Sequence, residues 1–143
     1  MAAIDNAMIS KLLNQTTPTG TSGAPGSFGT ALNGSAMKVR LNSTASTASA
    51  AGTELTGTGY TAGGTAVPAQ STASSGGSAV TLPASSALSW TNGSGGAWSI
   101  VSMDLTDNAG TRVWFGNFTG QPISVANGNT FQIAVGGVSI SLS

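Results

Sequence analysis

The residues with the most chemistry to offer are two aspartates, Asp104 and Asp107, followed directly by Asn108. Their carboxylates could act as paired acids for hydrolysis, or as calcium ligands together with the Asn108 amide. Alternatively, Asp104 is an outward-facing strand residue and Asp107 forms a hairpin turn with Asn108. The EF-hand loop pattern does not occur in the sequence. We therefore predict no catalytic residue, no metal site and no cofactor here.

The composition excludes most catalytic arrangements. The 143 residues include neither histidine nor cysteine, so Ser-His-Asp and Cys-His arrangements and His/Cys zinc sites cannot form. Four basic and four acidic residues leave a net charge of zero. Without a basic cluster, nucleic acid is not an expected partner. The sequence predicts a protein that is not an enzyme.

The hydropathy pattern also argues against a membrane partner. No stretch approaches the ~18 apolar residues that span a bilayer, and the opening residues lack the features of a signal peptide. A chain with so few charges has little colloidal protection as a free monomer. This composition favours a protein that is covered by copies of itself or by partners.

Six aromatic side chains could form a sugar-stacking platform or fill the core of a domain that has few other large residues. They are Tyr60, Trp90, Trp98, Trp114, Phe115 and Phe118. Trp114 and Phe115 are adjacent, and neighbours in a strand point to opposite faces. Only one of these two can therefore face the core.

Three charged residues have open assignments. Glu54 lies in a Gly/Thr loop and could pair with Lys38 or Arg40, contact an adjacent subunit, or be solvated. Lys38 and Arg40 share the polar face of a predicted strand, where they protect an edge or form a docking patch.

Near the N-terminus, the sequence predicts a helix over residues 4–13. Its apolar residues fall on one helical face, and Asp5 suits the first turn. Residues 16–30 consist mostly of Thr, Gly, Pro and Ser, which predicts a linker or an extended arm. We expect residues 1–30 to form a helix and docking arm. The residues predicted to contact a partner protein or other subunits are Ile4, Met8, Ile9, Leu12, Leu13 and Phe28.

Beyond the arm, the apolar residues alternate with a period of two. The phase of the alternation changes near Ile100, which predicts a β-bulge there. Seven or eight short strands predict a mainly β fold, with residues 31–143 forming a small antiparallel β-sandwich of jelly-roll or immunoglobulin-like type. The predicted core residues are Val39, Leu41, Trp98, Phe131, Ile133 and Val135.

Several segments resemble a group of small tailed-phage virion proteins. They are residues 52–60 (GTELTGTGY), 97–101 (AWSIV), 113–118 (VWFGNF), 123–128 (ISVANG) and 138–142 (VSISL). Similar proteins are often labelled tail fibre proteins, and others decorate the outside of capsids. The likeness runs from the predicted helix to residue 142. Thr61 and Ala62 depart from it, because similar proteins tend to carry Ala-Arg there.

The resemblance implies a structural virion protein without catalytic residues. We expect a capsid decoration or cement protein, a homotrimer that binds the major capsid protein and stabilises the shell. It would be made in the host cytoplasm and located on the outer capsid surface of the virion. The alternative is a tail-tip or tail-fibre module that recognises a host-surface glycan. A third hypothesis is a glycosidase-like enzyme that uses Asp104 and Asp107.

Overall fold

The structure is a computed structural model that describes residues 2–4, 37–68, 79–107 and 109–141. Within these residues the chain forms eleven short strands and no helix. In chain order the strands are β1 (Ala2–Ile4), β2 (Lys38–Asn42), β3 (Thr65–Ala66), β4 (Ala79–Leu82), β5 (Leu88–Thr91), β6 (Trp98–Ile100), β7 (Ser102–Thr106), β8 (Arg112–Asn117), β9 (Ile123–Val125), β10 (Thr130–Ile133) and β11 (Val138–Ser141).

All strand pairings in this part of the chain are antiparallel. One sheet has five strands in the order β1-β8-β7-β2-β3, and three further pairs are β10-β5, β11-β4 and β6-β9. Buried apolar side chains from the large sheet and from all three pairs form one cluster. The predicted mainly β, antiparallel fold is confirmed.

The core lies on one face of the five-stranded sheet. Val39 and Leu41 of β2 lie opposite Leu105 and Met103 of β7, and Leu105 in turn lies opposite Trp114 of β8. All five side chains are buried. Because side chains alternate along a strand, the intervening residues of β2 and β7 must occupy the other face.

The change of phase near Ile100 has a different cause from the predicted bulge. β6 ends at Ile100 and pairs with β9, whereas β7 begins at Ser102 and belongs to the large sheet. Val101 lies between them, and its N–H donates to the Asn42 carbonyl at 2.8 Å. The phase changes because the chain passes from one sheet to another. The register irregularity lies instead between Leu105 and Thr106.

Most of the predicted core is buried. Val39, Leu41, Trp98 and Ile133 are buried, and Phe131 is half-buried against the same cluster. The prediction for Val135 was wrong, since its side chain is 55% exposed.

Val135 is exposed because β10 ends at Ile133 and the chain then turns. The Gly137 N–H donates to the Ala134 carbonyl at 2.8 Å, and the Gly136 N–H donates to the Pro83 carbonyl at 2.8 Å. The β10 ladder therefore ends two residues before Val135, which no longer follows the alternation of the strand.

The N-terminal prediction fails at its first residue. Ile4 belongs to β1, where it lies opposite Trp114 of β8, so it does not begin a helix. Antiparallel pairing along β8 draws Ala2–Ile4 into the sheet that was assigned to residues 31–143. The other predicted contact residues, Met8, Ile9, Leu12, Leu13 and Phe28, lie outside the described residues, as does the rest of the predicted helix.

Candidate functional site

Polar and charged residues gather on the face of the five-stranded sheet that is opposite the core. The register places Arg40 opposite Asp104, and Asn42 opposite Ser102. Phe115 of β8 lies opposite Asp104 from the other side. Asn42, Ser102 and Asp104 are completely buried. This polar face is therefore covered, although alternation alone predicts that it is solvated.

Asp104 is the centre of the polar face. One carboxylate oxygen accepts a hydrogen bond from Arg40 Nη2 at 2.8 Å, and the other accepts one from Ser46 Oγ at 2.7 Å. Arg112 Nη1 lies 3.8 Å from the second oxygen. A buried carboxylate needs this kind of pairing, because an isolated charge in a protein interior is very costly.

The Ser/Thr/Ala loop of residues 43–53, here called the covering loop, packs onto this face through Ser46. The Ser46 N–H donates to Asn117 Oδ1 at 3.0 Å, and Asn117 Nδ2 donates back to the Ser46 carbonyl at 3.1 Å. The Gly52 N–H donates to Ser46 Oγ at 2.9 Å. A Cβ at Gly52 would overlap with the Thr44 carbonyl oxygen. Position 52 thus requires glycine, because the Thr44 backbone lies too close for any side chain.

Arg112 fastens the outer part of the covering loop. Its Nη1 donates to the Ala50 carbonyl and its Nη2 to the Thr47 carbonyl, both at 2.7 Å. The guanidinium also lies over the Phe115 ring, 5.1 Å from its centroid. A planar guanidinium can make such a fork and stack at the same time, which a lysine cannot.

Asn42 and Ser102 complete the network beneath the loop. Asn42 Nδ2 donates to Ser46 Oγ and to Ser102 Oγ, each at 3.1 Å. Ser102 Oγ donates to the Thr44 carbonyl at 2.8 Å. The low-complexity loop is therefore held to the sheet by specific hydrogen bonds at several points.

The two aspartates have different internal partners. Asp107 shapes a turn, since its Oδ1 accepts hydrogen bonds from the Ala109 N–H at 3.0 Å and from the Thr111 N–H at 2.8 Å. This agrees with the turn assignment of Asp107. The outward-facing assignment of Asp104 was wrong about exposure, because the covering loop buries it. Among the described residues, no group of three acidic, histidine or cysteine side chains could hold a metal ion.

Glu54 supports a neighbouring loop. Its Oε1 accepts hydrogen bonds from Tyr60 Oη at 2.9 Å and from the Gly63 N–H at 2.7 Å. Tyr60 Oη in turn accepts one from the Leu41 N–H at 3.1 Å. Burial, aided by the Glu54 carboxylate, raises the pKa of Tyr60 well above its ordinary value. Glu54 therefore makes an internal contact, while Arg40 is committed to Asp104.

A second polar centre joins three loops at another part of the domain. Asn92 is completely buried. Its Nδ2 donates to the carbonyls of Gly96 and Val125, each at 2.8 Å, and its Oδ1 accepts from the Ser94 N–H at 2.9 Å. Gly59 packs against this region with φ of 93°, and a Cβ there would overlap with the Thr91 carbonyl. The buried Asn92 side chain thus anchors the loop of residues 92–97 to β9.

The aromatic side chains divide between the core and the polar face of the large sheet. Trp90, Trp98 and Trp114 are buried, which favours the core-packing interpretation. Phe115 lies on the polar face, so the prediction that it and Trp114 face opposite sides is confirmed.

Phe118 and Phe131 are half-buried neighbours, and we call this pair of rings the aromatic edge. Phe131 stacks on Trp90 with centroids 6.0 Å apart, and Phe118 meets Phe131 edge-on at 5.7 Å. Such a partly exposed cluster offers ring surface to a ligand as well as to the core.

Sequence reasoning missed several members of the covered polar face, namely Asn42, Ser46, Ser102, Arg112 and Asn117. The alternation in β2 and β7 could have placed Asn42 and Ser102 on the face that carries Arg40. No local signal marks Ser46, because it lies in a tract of similar small residues.

Comparison of the chain with protein-family models, with curated proteins and with solved structures gives no match. Within the described residues, no helix is long and apolar enough to cross a bilayer.

Proposed function

We propose that this protein is a structural component of a tailed-phage virion that decorates the outside of the capsid and stabilises the shell. The observation that carries the proposal is the way the charged side chains are used. Of the eight charged residues in the sequence, Arg40, Arg112, Asp104, Glu54 and Asp107 all contact parts of the same domain. Groups that could perform acid–base chemistry fix loops instead, as in a rigid binding scaffold.

The resemblance to small virion proteins supports the same proposal. The segments that carry the resemblance include β6 and β8, which contribute Trp98 and Trp114 to the core. A virion protein of this kind acts by binding many equivalent positions on the shell. We expect it to be a homotrimer that contacts the major capsid protein.

Docking should depend on apolar area and backbone hydrogen bonds, because the sequence has few charges to offer. The apolar residues of the arm, among them Leu12 and Leu13, stay the predicted contact. Binding that rests on such contacts is only weakly screened by salt. Capsid binding should therefore change little between low and moderate salt.

The proposal is tested by locating and counting the protein in purified virions. We expect hundreds of copies relative to the major capsid band, and antibody labelling over the head. A handful of copies with labelling at the tail tip would reject the decoration role and favour the tail module.

A paired variant tests the docking arm. L12S/L13S should lose binding to heads that lack the protein, with an unchanged melting temperature. The matched control is Val135→Ser, which also removes an apolar side chain, but one that is exposed on the domain. The control should bind as the wild type does. Equal binding by both variants would contradict the arm contact.

The second candidate function is recognition of a host-surface glycan, and the aromatic edge favours it. Phe118 and Phe131 are both half-buried and meet edge-on. If a sugar stacks there, Phe118→Ala should abolish binding on a glycan array while the domain stays folded. Under the decoration proposal the wild type binds no glycan on the array.

A further inference from the structure

The two edges of the five-stranded sheet are closed in different ways. On one side, β3 pairs with Lys38 and Val39, and the backbone of residues 53–55 continues along β2. The Ser43 N–H donates to the Thr53 carbonyl at 2.8 Å, and the Leu55 N–H donates to the Leu41 carbonyl at 2.9 Å. These contacts come from segments that follow β2 closely in sequence, so this edge is closed within one domain.

At the opposite edge, β1 is the outermost strand, and it covers the outer side of β8. The Cα partners are Ala2 with Gly116, Ala3 with Phe115, and Ile4 with Trp114. β1 has only three residues, and none of them is charged. Releasing β1 from β8 breaks a ladder of only three residue pairs, which costs little free energy. Without β1, the outer side of β8 would be an unpaired strand edge, and such an edge is a template for another strand.

The chain between β1 and the rest of the sheet is long. Residues 5–36 separate Ile4 from Met37, and an extended chain spans ~3.3 Å per residue, so this stretch could reach about 100 Å. That reach exceeds the size of a single small domain. The covalent connection therefore does not decide whether β1 pairs with its own β8 or with the β8 of a neighbour.

We propose that β1 is exchanged between copies of this chain, so that the β8 edge of each copy receives the Ala2–Ile4 strand of another. Exchange of an identical element keeps every backbone hydrogen bond of the ladder and links the subunits. A second copy is the occupant that matches this edge, because its Ala2–Ile4 strand has the same sequence and can pair in the same register. The zero net charge of the chain imposes no repulsion between copies. This inference does not rest on the capsid proposal.

A disulfide pair tests the exchange in the full-length protein. The chain has no cysteine, so A2C/G116C introduces only the two thiols of interest. Directly opposite residues in an antiparallel ladder have Cα atoms ~4.5–5.5 Å apart, which a disulfide accepts. Among the described residues, a Cβ at Gly116 meets no atom within 4 Å, so they leave room for the substitution. After oxidation, most of the A2C/G116C protein should run as covalent dimers or larger species on a non-reducing gel.

The matched control is S89C/Q132C, in which both exposed positions are Cα partners across β5 and β10. It should run as a monomer with an internal disulfide. If A2C/G116C also gives only monomers, whether cross-linked or not, exchange is rejected.

A second measurement covers the case in which the cysteine variant fails to fold. The chain without residues 2–4 should elute as a smaller species than the wild type in size-exclusion chromatography with light scattering. An unchanged oligomer would equally overturn the proposal.

Discussion

β2 and β7 carry apolar side chains on one face of the large sheet and polar or charged ones on the other. Val39 and Leu105 lie on the first face, where tight apolar packing excludes water. Asp104 lies on the second face, where the covering loop supplies hydrogen bonds. Both faces are buried, but the apolar face depends on shape and area, whereas the polar face depends on each partner being present.

We infer that the polar face fixes the covering loop in one position and adds little extra stability. A buried ion pair such as Arg40–Asp104 gains little over a well-packed apolar pair, because both charges lose their hydration. Removing a single partner is costly, however, since the other charge stays in place. The covering loop is poor in large side chains and would have no fixed position without these contacts.

The largest expected effect is in the apolar core, which includes the first face of the large sheet and Trp98 of β6. Trp98 is buried and meets Tyr60 edge-on with centroids 6.4 Å apart. Trp98→Ala should lower the free energy of unfolding by ~3–5 kcal/mol, as measured by denaturant titration. Val135→Ala is the control, and we expect a change within ~0.5 kcal/mol because that side chain is exposed. Equal losses for both variants would mean that the core is misplaced.

A slightly smaller effect is expected on the polar face. Asp104→Ala leaves Arg40 and Arg112 without their carboxylate, and should cost about 3 kcal/mol. The estimate is at the low end for buried pairs because the Arg40 side chain is 20% exposed and can partly rehydrate. Urea titration at low and at high salt should give the same loss, since buried pairs are screened little. A loss that disappears in high salt would show that the pair is solvated.

The smallest expected effect concerns Tyr60, whose hydroxyl accepts a hydrogen bond from the β2 backbone at Leu41. Tyr60→Phe removes the hydrogen bonds to Glu54 and Leu41, and should cost about 1 kcal/mol at neutral pH.

The same substitution should change the alkaline limit of stability. The pKa of Tyr60 is raised on folding, so the folded protein holds this proton at a pH where the unfolded chain has lost it. This contribution is present in full below about pH 10, the ordinary tyrosine pKa, and decreases as pH rises above it. Melting temperatures of the wild type and Tyr60→Phe should therefore converge at alkaline pH. Parallel curves would contradict the raised pKa.

Strand alternation was sufficient to predict the mainly β class, and to place Val39, Leu41 and Trp98 in the core. It was wrong for Val135, because alternation in sequence continues after the hydrogen-bonded ladder has ended at Ile133. The helical spacing of apolar residues was misleading for Ile4, because pairing with β8 is a long-range contact that local spacing does not reveal.

The covered polar face could not be predicted, for a physical reason. Whether Asp104 is solvated depends on where the 43–53 loop folds back, and that depends on partners distant in sequence, such as Arg112 and Asn117. A Ser/Thr/Ala tract has no periodicity that would indicate such partners. The pairing of Arg40 with Asp104 follows only once the register of β2 and β7 is known.

Amide hydrogen exchange of the full-length protein tests most directly whether the charged residues serve to fix the loop. The Ser46 N–H donates to Asn117 Oδ1 and the Gly52 N–H to Ser46 Oγ, whereas Ser49 is exposed at the outer part of the loop. We predict that the Ser46 and Gly52 amides exchange as slowly as those of β7, and that Asp104→Ala selectively accelerates them. Exchange of Ser46 and Gly52 at the rate of Ser49 in the wild type would contradict the account.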